Sequence, residues 1–115
     1  MVWQKQALVA LREAMIWLET SEDAAPILQQ AYHQNRWFEE FQVKKALQQW
    51  TLSLSDEAID AWLQGYQWPE TPHNTHLGII MAGNIPLVGL HDILMGILAG
   101  YRVSAKLSSD DAVLP

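Results

Sequence analysis

The sequence predicts an α/β protein in which N-terminal amphipathic helices are followed by a βαβ unit of parallel strands. Three observations indicate this fold class. All six tryptophans precede residue 70, in a region where apolar residues recur at helical spacings. Five of the six glycines follow that residue. Two short apolar runs flank a longer apolar segment between residues 77 and 107, which is the order strand, helix, strand.

Four helices are predicted in the first region. Apolar residues at intervals of three and four positions indicate an amphipathic helix over residues 3–19. A second helix is predicted over about 22–34 and a third over about 39–51. The fourth begins after Ser55, a typical N-cap residue, and is expected to end at Gly65.

The second region follows a predicted linker over residues 68–74, which contains two prolines. Its predicted elements are a buried strand over 77–81, a helix over 87–99 that Pro86 introduces, and a strand over 102–107. Strands joined by a helix should be parallel. The helix is apolar on nearly every side and therefore needs cover on most of them.

These patterns divide the chain into two regions of one folded unit. Residues 1–70 form the helical N-terminal region, and residues 71–115 form the α/β region. A chain of 115 residues has room for one domain.

Composition excludes several classes of function. The formal net charge is −6 and no basic cluster is present, so we expect no nucleic-acid partner. The chain contains no cysteine, which excludes disulfides, thiolate metal sites and a cysteine nucleophile within these residues. Polar residues interrupt the longest apolar stretch, 77–101, so no integral membrane span is expected. Without a signal-peptide pattern at the N-terminus, we expect a cytoplasmic protein.

Metal binding is not expected either. The four histidines lack the spacing of metal ligands. The acidic pairs lie at predicted helix starts, where the helix dipole explains them better than paired-carboxylate catalysis does.

Three polar residues follow the two predicted strands, where parallel sheets bind ligands. Asn84 is a common turn former, but its amide could also donate a hydrogen bond to a developing oxyanion. Lys106 could simply reach solvent, or it could hold a ribose hydroxyl or a phosphate. Ser108 could contact the same ligand, or it could cap a helix that opens at Asp110. The residue types alone favour a turn-forming role for Asn84 and a solvent-exposed position for Lys106.

A family resemblance covers these positions. Residues 77–115, which run from L-G-I-I-M-A-G-N-I-P to K-L-S-S-D-D-A-V-L-P, closely resemble the LuxC-type acyl-CoA reductases of the aldehyde dehydrogenase superfamily. The segment N-R-W-F-E-E at residues 35–40 resembles that family's N-terminal region. The resemblance implies that residues 71–115 begin a Rossmann-like NAD(P)-binding domain.

The resemblance also implies residue roles. In the superfamily the turn after the first strand is usually P-W-N-F-P, and here it is A-G-N-I-P, so Asn84 matches the oxyanion-hole asparagine. The second strand usually ends in K-P-S-E, and here it ends in K-L-S-S. Lys106 matches the lysine that contacts the adenosine ribose, and Ser108 matches the motif serine. Ser109 replaces a glutamate that grips ribose hydroxyls, which allows NADPH as well as NADH.

The implied activity is reduction of a fatty acyl-CoA or acyl-protein thioester to an aldehyde through a cysteine acyl-enzyme. Since this chain has no cysteine, we expect an N-terminal fragment of such a reductase that is inactive alone. With few elements to cover its apolar helix, the fragment should also self-associate. The alternative is a small non-enzymatic α/β module whose tryptophan-rich helices bind a protein partner.

Overall fold

The computed structural model describes residues 2–115, which form a mostly helical α/β fold with a two-stranded parallel sheet. Its helices are α1 (Val2–Thr20), α2 (Ala25–Gln34), α3 (Glu40–Ser53), α4 (Asp56–Gln64) and α5 (Leu90–Leu98). The strands β1 (His76–Ile80) and β2 (Arg102–Lys106) precede and follow α5. Short 3-10 turns cover Glu22–Ala24 and Ser109–Asp111. This arrangement confirms the predicted fold class in its coarse form.

Most helix ends lie close to the residues where the capping signals of the sequence predicted them. The Ser55 hydroxyl accepts a hydrogen bond from the Ala58 N–H at 3.2 Å, and α4 ends before Gly65 as predicted. The second helix begins three residues later than predicted, because residues 22–24 form a 3-10 turn instead. Pro26 explains this start, since a residue without an N–H is tolerated only in the first turn of a helix.

The βαβ unit has parallel strands, as its connection predicted. The register pairs His76 with Arg102 and Ile80 with Lys106. The predicted helix start near residue 87 is wrong, because α5 begins only at Leu90. Leu87 has a φ of 61°, which lies in the left-handed region and is incompatible with a right-handed helix.

The prediction of a buried first strand is also wrong. Leu77 and Ile79 are half-buried, whereas the alternate residues are exposed and Ile80 reaches 85% exposure. A Cβ added at Gly96 of α5 would lie 2.9 Å from side-chain atoms of Leu77 and Val103, so α5 packs very closely on this face of the sheet. A strand is buried on both faces only when both are covered, and here α5 covers one.

Two hydrophobic clusters join the regions that precede and follow the linker. Leu87 and Leu114 complete the first cluster, and Leu94 and Leu98 complete the second. The helical region supplies the other buried members of the first cluster, which are Met15, Leu28, Ala31, Phe38, Val43 and Leu47. It also supplies Leu8, Leu54, Ile59 and Leu63 to the second cluster. The α/β region therefore shares its core with the helices.

Hydrogen bonds from both regions fix the position of the linker. Gln4 of α1 is fully buried, and its side-chain amide donates to the Pro69 carbonyl at 2.8 Å and to the Leu98 carbonyl at 3.4 Å. The backbone N–H of His73 donates to the Gly100 carbonyl at 3.0 Å. Gly100 has a φ of 90°, which suits glycine and ends α5 as predicted.

Leu47→Ala should destabilise the protein by about 2–5 kcal/mol, because Leu47 is fully buried and its truncation leaves a cavity. Leu52→Ala on the same helix is the matched control and should cost about 0.5 kcal/mol or less, since Leu52 is 69% exposed. Urea unfolding measures both values. Equal losses in the two variants would contradict the packing of α3 described above.

Candidate functional site

The parallel sheet brings two loops together at the carboxyl ends of its strands. One loop follows β1 and contains Gly83 and Asn84, and the other follows β2 and contains Ser108. A Cβ added at Gly83 would collide with the Cβ and Oγ atoms of Ser108 and would lie 3.2 Å from the Asp111 nitrogen. The absence of a side chain at Gly83 therefore allows the loops to touch.

Asn84 lies in the loop after β1, as the sequence predicted. It is exposed, and its side chain makes no hydrogen bond within residues 2–115. It is six residues before the start of α5, farther from that helix than expected, because the helix begins at Leu90. Its amide is free to donate to a ligand.

Lys106, Ser108 and Ser109 lie together at the end of β2. Lys106 is exposed and makes no ion pair within residues 2–115. Ser108 is half-buried and caps the following 3-10 turn, where its Oγ accepts a hydrogen bond from the Asp110 N–H at 3.2 Å. This cap uses the oxygen as an acceptor and leaves the O–H able to donate. Ser109 is exposed beside it.

Asp111 is a buried carboxylate, although its position in the sequence indicated only compensation of a helix dipole. Only 3% of it is exposed, and its Oδ2 accepts a hydrogen bond from the Leu87 N–H at 2.7 Å. Its Oδ1 is buried without a partner among residues 2–115. Burial raises the pKa of Asp111, and the hydrogen bond from Leu87 opposes that rise.

The Asp111 carboxylate anchors the loop that carries Asn84. Two contacts fix Leu87. Its side chain is buried in the first cluster, and its N–H donates a hydrogen bond to the Asp111 carboxylate. These contacts stabilise the left-handed backbone of Leu87, which costs a non-glycine residue free energy. The Asn35 amide also donates to the Asp110 carbonyl at 3.0 Å, which ties the same turn to the end of α2.

A groove of about 650 Å³, which no pattern in the sequence indicated, lies beside Asn84. The loop before α3, the outer side of α3 and the loop after β1 form its walls. Its lining residues are Arg36, Trp37, Phe38, Glu39, Gln42, Lys45, Ala46, Gln49, Asn84, Ile85 and Pro86. The three residues at the end of β2 lie outside this groove. The candidate site thus has two parts, the strand-end residues and the groove.

Residues 2–115 contain neither a metal-binding cluster nor a membrane-spanning helix. No three His, Asp or Glu side chains come together there in a way that could hold a metal ion. None of the helices in this part of the chain combines the length and the apolar character needed to cross a bilayer.

Removing the Asp111 acceptor should destabilise the protein, because the Leu87 N–H would be left buried and unpaired. We expect Asp111→Ala to cost about 1–3 kcal/mol. Asp111→Asn keeps an acceptor for Leu87 and removes the buried charge, so it is the matched variant. The free energy of unfolding from urea titrations measures both effects, and equal stability of wild type and Asp111→Ala would contradict the anchor.

Comparison of the wild type with Asp111→Asn also tests whether the pKa of Asp111 is raised. A carboxyl whose pKa is higher in the folded state contributes most stability below its unfolded pKa, and that contribution is lost as pH rises through the folded value. The stability of the wild type relative to Asp111→Asn should therefore fall as pH rises from about 4. A relative stability that rises with pH would show that the folded pKa is lowered instead.

Comparison of the chain with protein-family models, with curated proteins and with solved structures gives no match. The family resemblance therefore rests on the motifs of residues 35–40 and 77–115.

Proposed function

We propose that this chain forms the N-terminal part of a cytoplasmic, NAD(P)H-dependent reductase that converts a fatty acyl-CoA or acyl-protein thioester to an aldehyde. Residues 71–115 would begin its Rossmann-like cofactor domain. The motif resemblance suggests this function, and the parallel β1–α5–β2 unit is compatible with it.

The close approach of Gly83 and Ser108 is the observation that carries the proposal. It sets the loop with the candidate oxyanion donor against the strand end with the candidate cofactor contacts. In α/β folds, ligands bind at this edge of the sheet. A tight turn with an exposed lysine and a serine hydroxyl beside it suits a nucleotide cofactor.

The residues at the end of β2 fit NAD(P)H. The Lys106 ammonium is free to donate to a ribose hydroxyl, and the Ser108 hydroxyl can donate beside it. Ser109 carries no charge, so it does not repel a 2′-phosphate. The cofactor, when bound, supplies a hydride to the acyl carbon.

Asn84 is proposed to stabilise the oxyanion of the tetrahedral intermediate through its side-chain N–H. Such a donor typically contributes about 10²–10³-fold to the rate. The cysteine nucleophile would lie outside these residues, since the chain has none. We therefore expect the chain alone to reduce no thioester, and turnover of an acyl-CoA with NADPH by the purified chain would contradict this mechanism.

The alternative is a non-enzymatic interaction module. Two exposed aromatic side chains favour it, since Trp37 in the loop before α3 is 83% exposed and Phe41 in the first turn of α3 is 64% exposed. Exposed aromatic residues are common anchors at protein interfaces. Binding of a dinucleotide at the end of β2 would favour the reductase over this module.

Self-association is a separate part of the proposal. The edge of β1 that does not pair with β2 borders a cavity of about 580 Å³ lined by Ile79, Ile80, Met95, Ala99 and others. An exposed strand edge with apolar neighbours is a template for pairing with another chain. A second copy could cover this edge.

The purified chain should bind NADPH, and Lys106→Gln should weaken binding roughly tenfold because a charge-assisted hydrogen bond is lost. Arg102→Gln is the matched control, since Arg102 is an exposed cation without an ion pair within residues 2–115 at the opposite end of β2. Isothermal titration calorimetry with NADPH and NADH measures the affinities. Equal effects of the two variants, or no binding by the wild type, would count against the cofactor site.

Sedimentation equilibrium at micromolar concentration should give a mass above the 13.1 kDa of one chain. Ile80→Lys should restore the monomer, because a charge at the strand edge opposes pairing. Leu52→Lys, on the exposed side of α3, is the control and should leave association unchanged. A wild-type monomer that also fails to bind a hydrophobic dye would overturn this part of the proposal.

A further inference from the structure

We propose that the groove beside Asn84 binds a nucleoside phosphate, with the base stacked on Trp37 and the phosphate held by Arg36 and Lys45. The inference goes beyond the proposed cofactor site, because none of these three residues belongs to it. The identity of the ligand as the nucleotide end of a thioester carrier rests on the proposed function, but binding itself does not.

The charge of the groove favours an anion. Arg36 and Lys45 make no ion pair within residues 2–115, whereas the neighbouring Lys44 pairs with Glu40 at 3.3 Å. The groove lining thus holds two free cations and one carboxylate, that of Glu39. This local excess of positive charge contrasts with the formal net charge of −6 for the whole chain.

Neutral amides add to the donors of the groove. Gln42 and Gln49 line it, and neither side chain makes a hydrogen bond within residues 2–115. Amide N–H groups of this kind hydrogen-bond phosphate and ribose oxygens. The volume of about 650 Å³ lies within the range of small-molecule sites.

Trp37 is presented to solvent by a fixed turn. Its backbone N–H donates to the Asn35 side-chain oxygen at 3.0 Å, and the Phe38 N–H donates to the Asn35 carbonyl at 2.9 Å. The Phe38 side chain is buried in the first cluster and anchors the turn. A large ring that is 83% exposed on a held backbone offers a stacking surface at little conformational cost.

Arg36, which lines the groove, is restrained by an aromatic ring of α2. Its guanidinium carbon lies 4.9 Å from the centroid of the Tyr32 ring, within the range of a cation–π contact. The planar guanidinium can donate two parallel hydrogen bonds to a phosphate. Together, Arg36 and Lys45 provide the phosphate contacts and Trp37 provides the base contact.

Isothermal titration calorimetry of the whole chain with ADP tests the site. We expect Arg36→Gln, Lys45→Gln and Trp37→Leu each to weaken ADP binding roughly tenfold or more. Lys44→Gln is the matched control for the lysine, and Trp17→Leu, on the 44% exposed Trp17 of α1, is the control for the tryptophan. Circular dichroism checks that each variant is folded. Absence of ADP binding, or equal effects of test and control variants, would overturn the proposal.

Further ligands identify the source of the nucleotide and separate this site from the cofactor site. Binding of coenzyme A that weakens in Lys45→Gln and not in Lys106→Gln would support the groove and a nucleotide-bearing carrier. Equal affinity for phosphopantetheine, which lacks the base, would overturn the stacking role of Trp37. Nucleotide binding that is lost in Lys106→Gln and kept in Lys45→Gln would overturn the groove.

The two proposals can also fail separately. If NADPH does not bind but ADP binding depends on Lys45, the reductase proposal loses its cofactor site and the groove stands. If NADPH binding depends on Lys106 and no ligand depends on Lys45, the groove proposal fails and the cofactor site stands.

Discussion

The need to cover helix α5 determines how the rest of this structure is arranged. Its side chains are apolar on nearly every side, and a two-stranded sheet can cover only one of them. The helical region supplies further cover, because Leu94 and Leu98 belong to the same buried cluster as residues of α1 and α4. Gln4 of α1 also donates to the Leu98 carbonyl at the end of α5. Both hydrophobic clusters therefore join the helical region to the α/β region.

The same packing shapes the candidate site. Leu87 enters the first cluster from the loop after β1 and adopts a left-handed backbone to do so. A hydrogen bond from its N–H to Asp111 stabilises that conformation, and Gly83 lets the neighbouring strand end approach. Core packing therefore fixes the loop that presents Asn84, while the Asn84 amide makes no hydrogen bond within residues 2–115.

The cations of this protein differ in whether a carboxylate pairs with them. Lys5 and Arg12 form ion pairs with carboxylates, whereas Lys106, Arg36 and Lys45 form none within residues 2–115. The proposed reductase uses the strand-end group, and the proposed nucleoside-phosphate site uses Arg36 and Lys45.

The sequence by itself determined the fold class, the parallel pairing and several element ends, because these depend on local signals such as the Ser55 cap and the stop at Gly100. It also placed Asn84 after the first strand. Tertiary structure alone decided the late start of α5, the exposure of β1 and the burial of Asp111, since each depends on contacts with residues distant in the chain. The groove also depends on tertiary structure, because residues near the start of α3 and residues of the loop after β1 line it together.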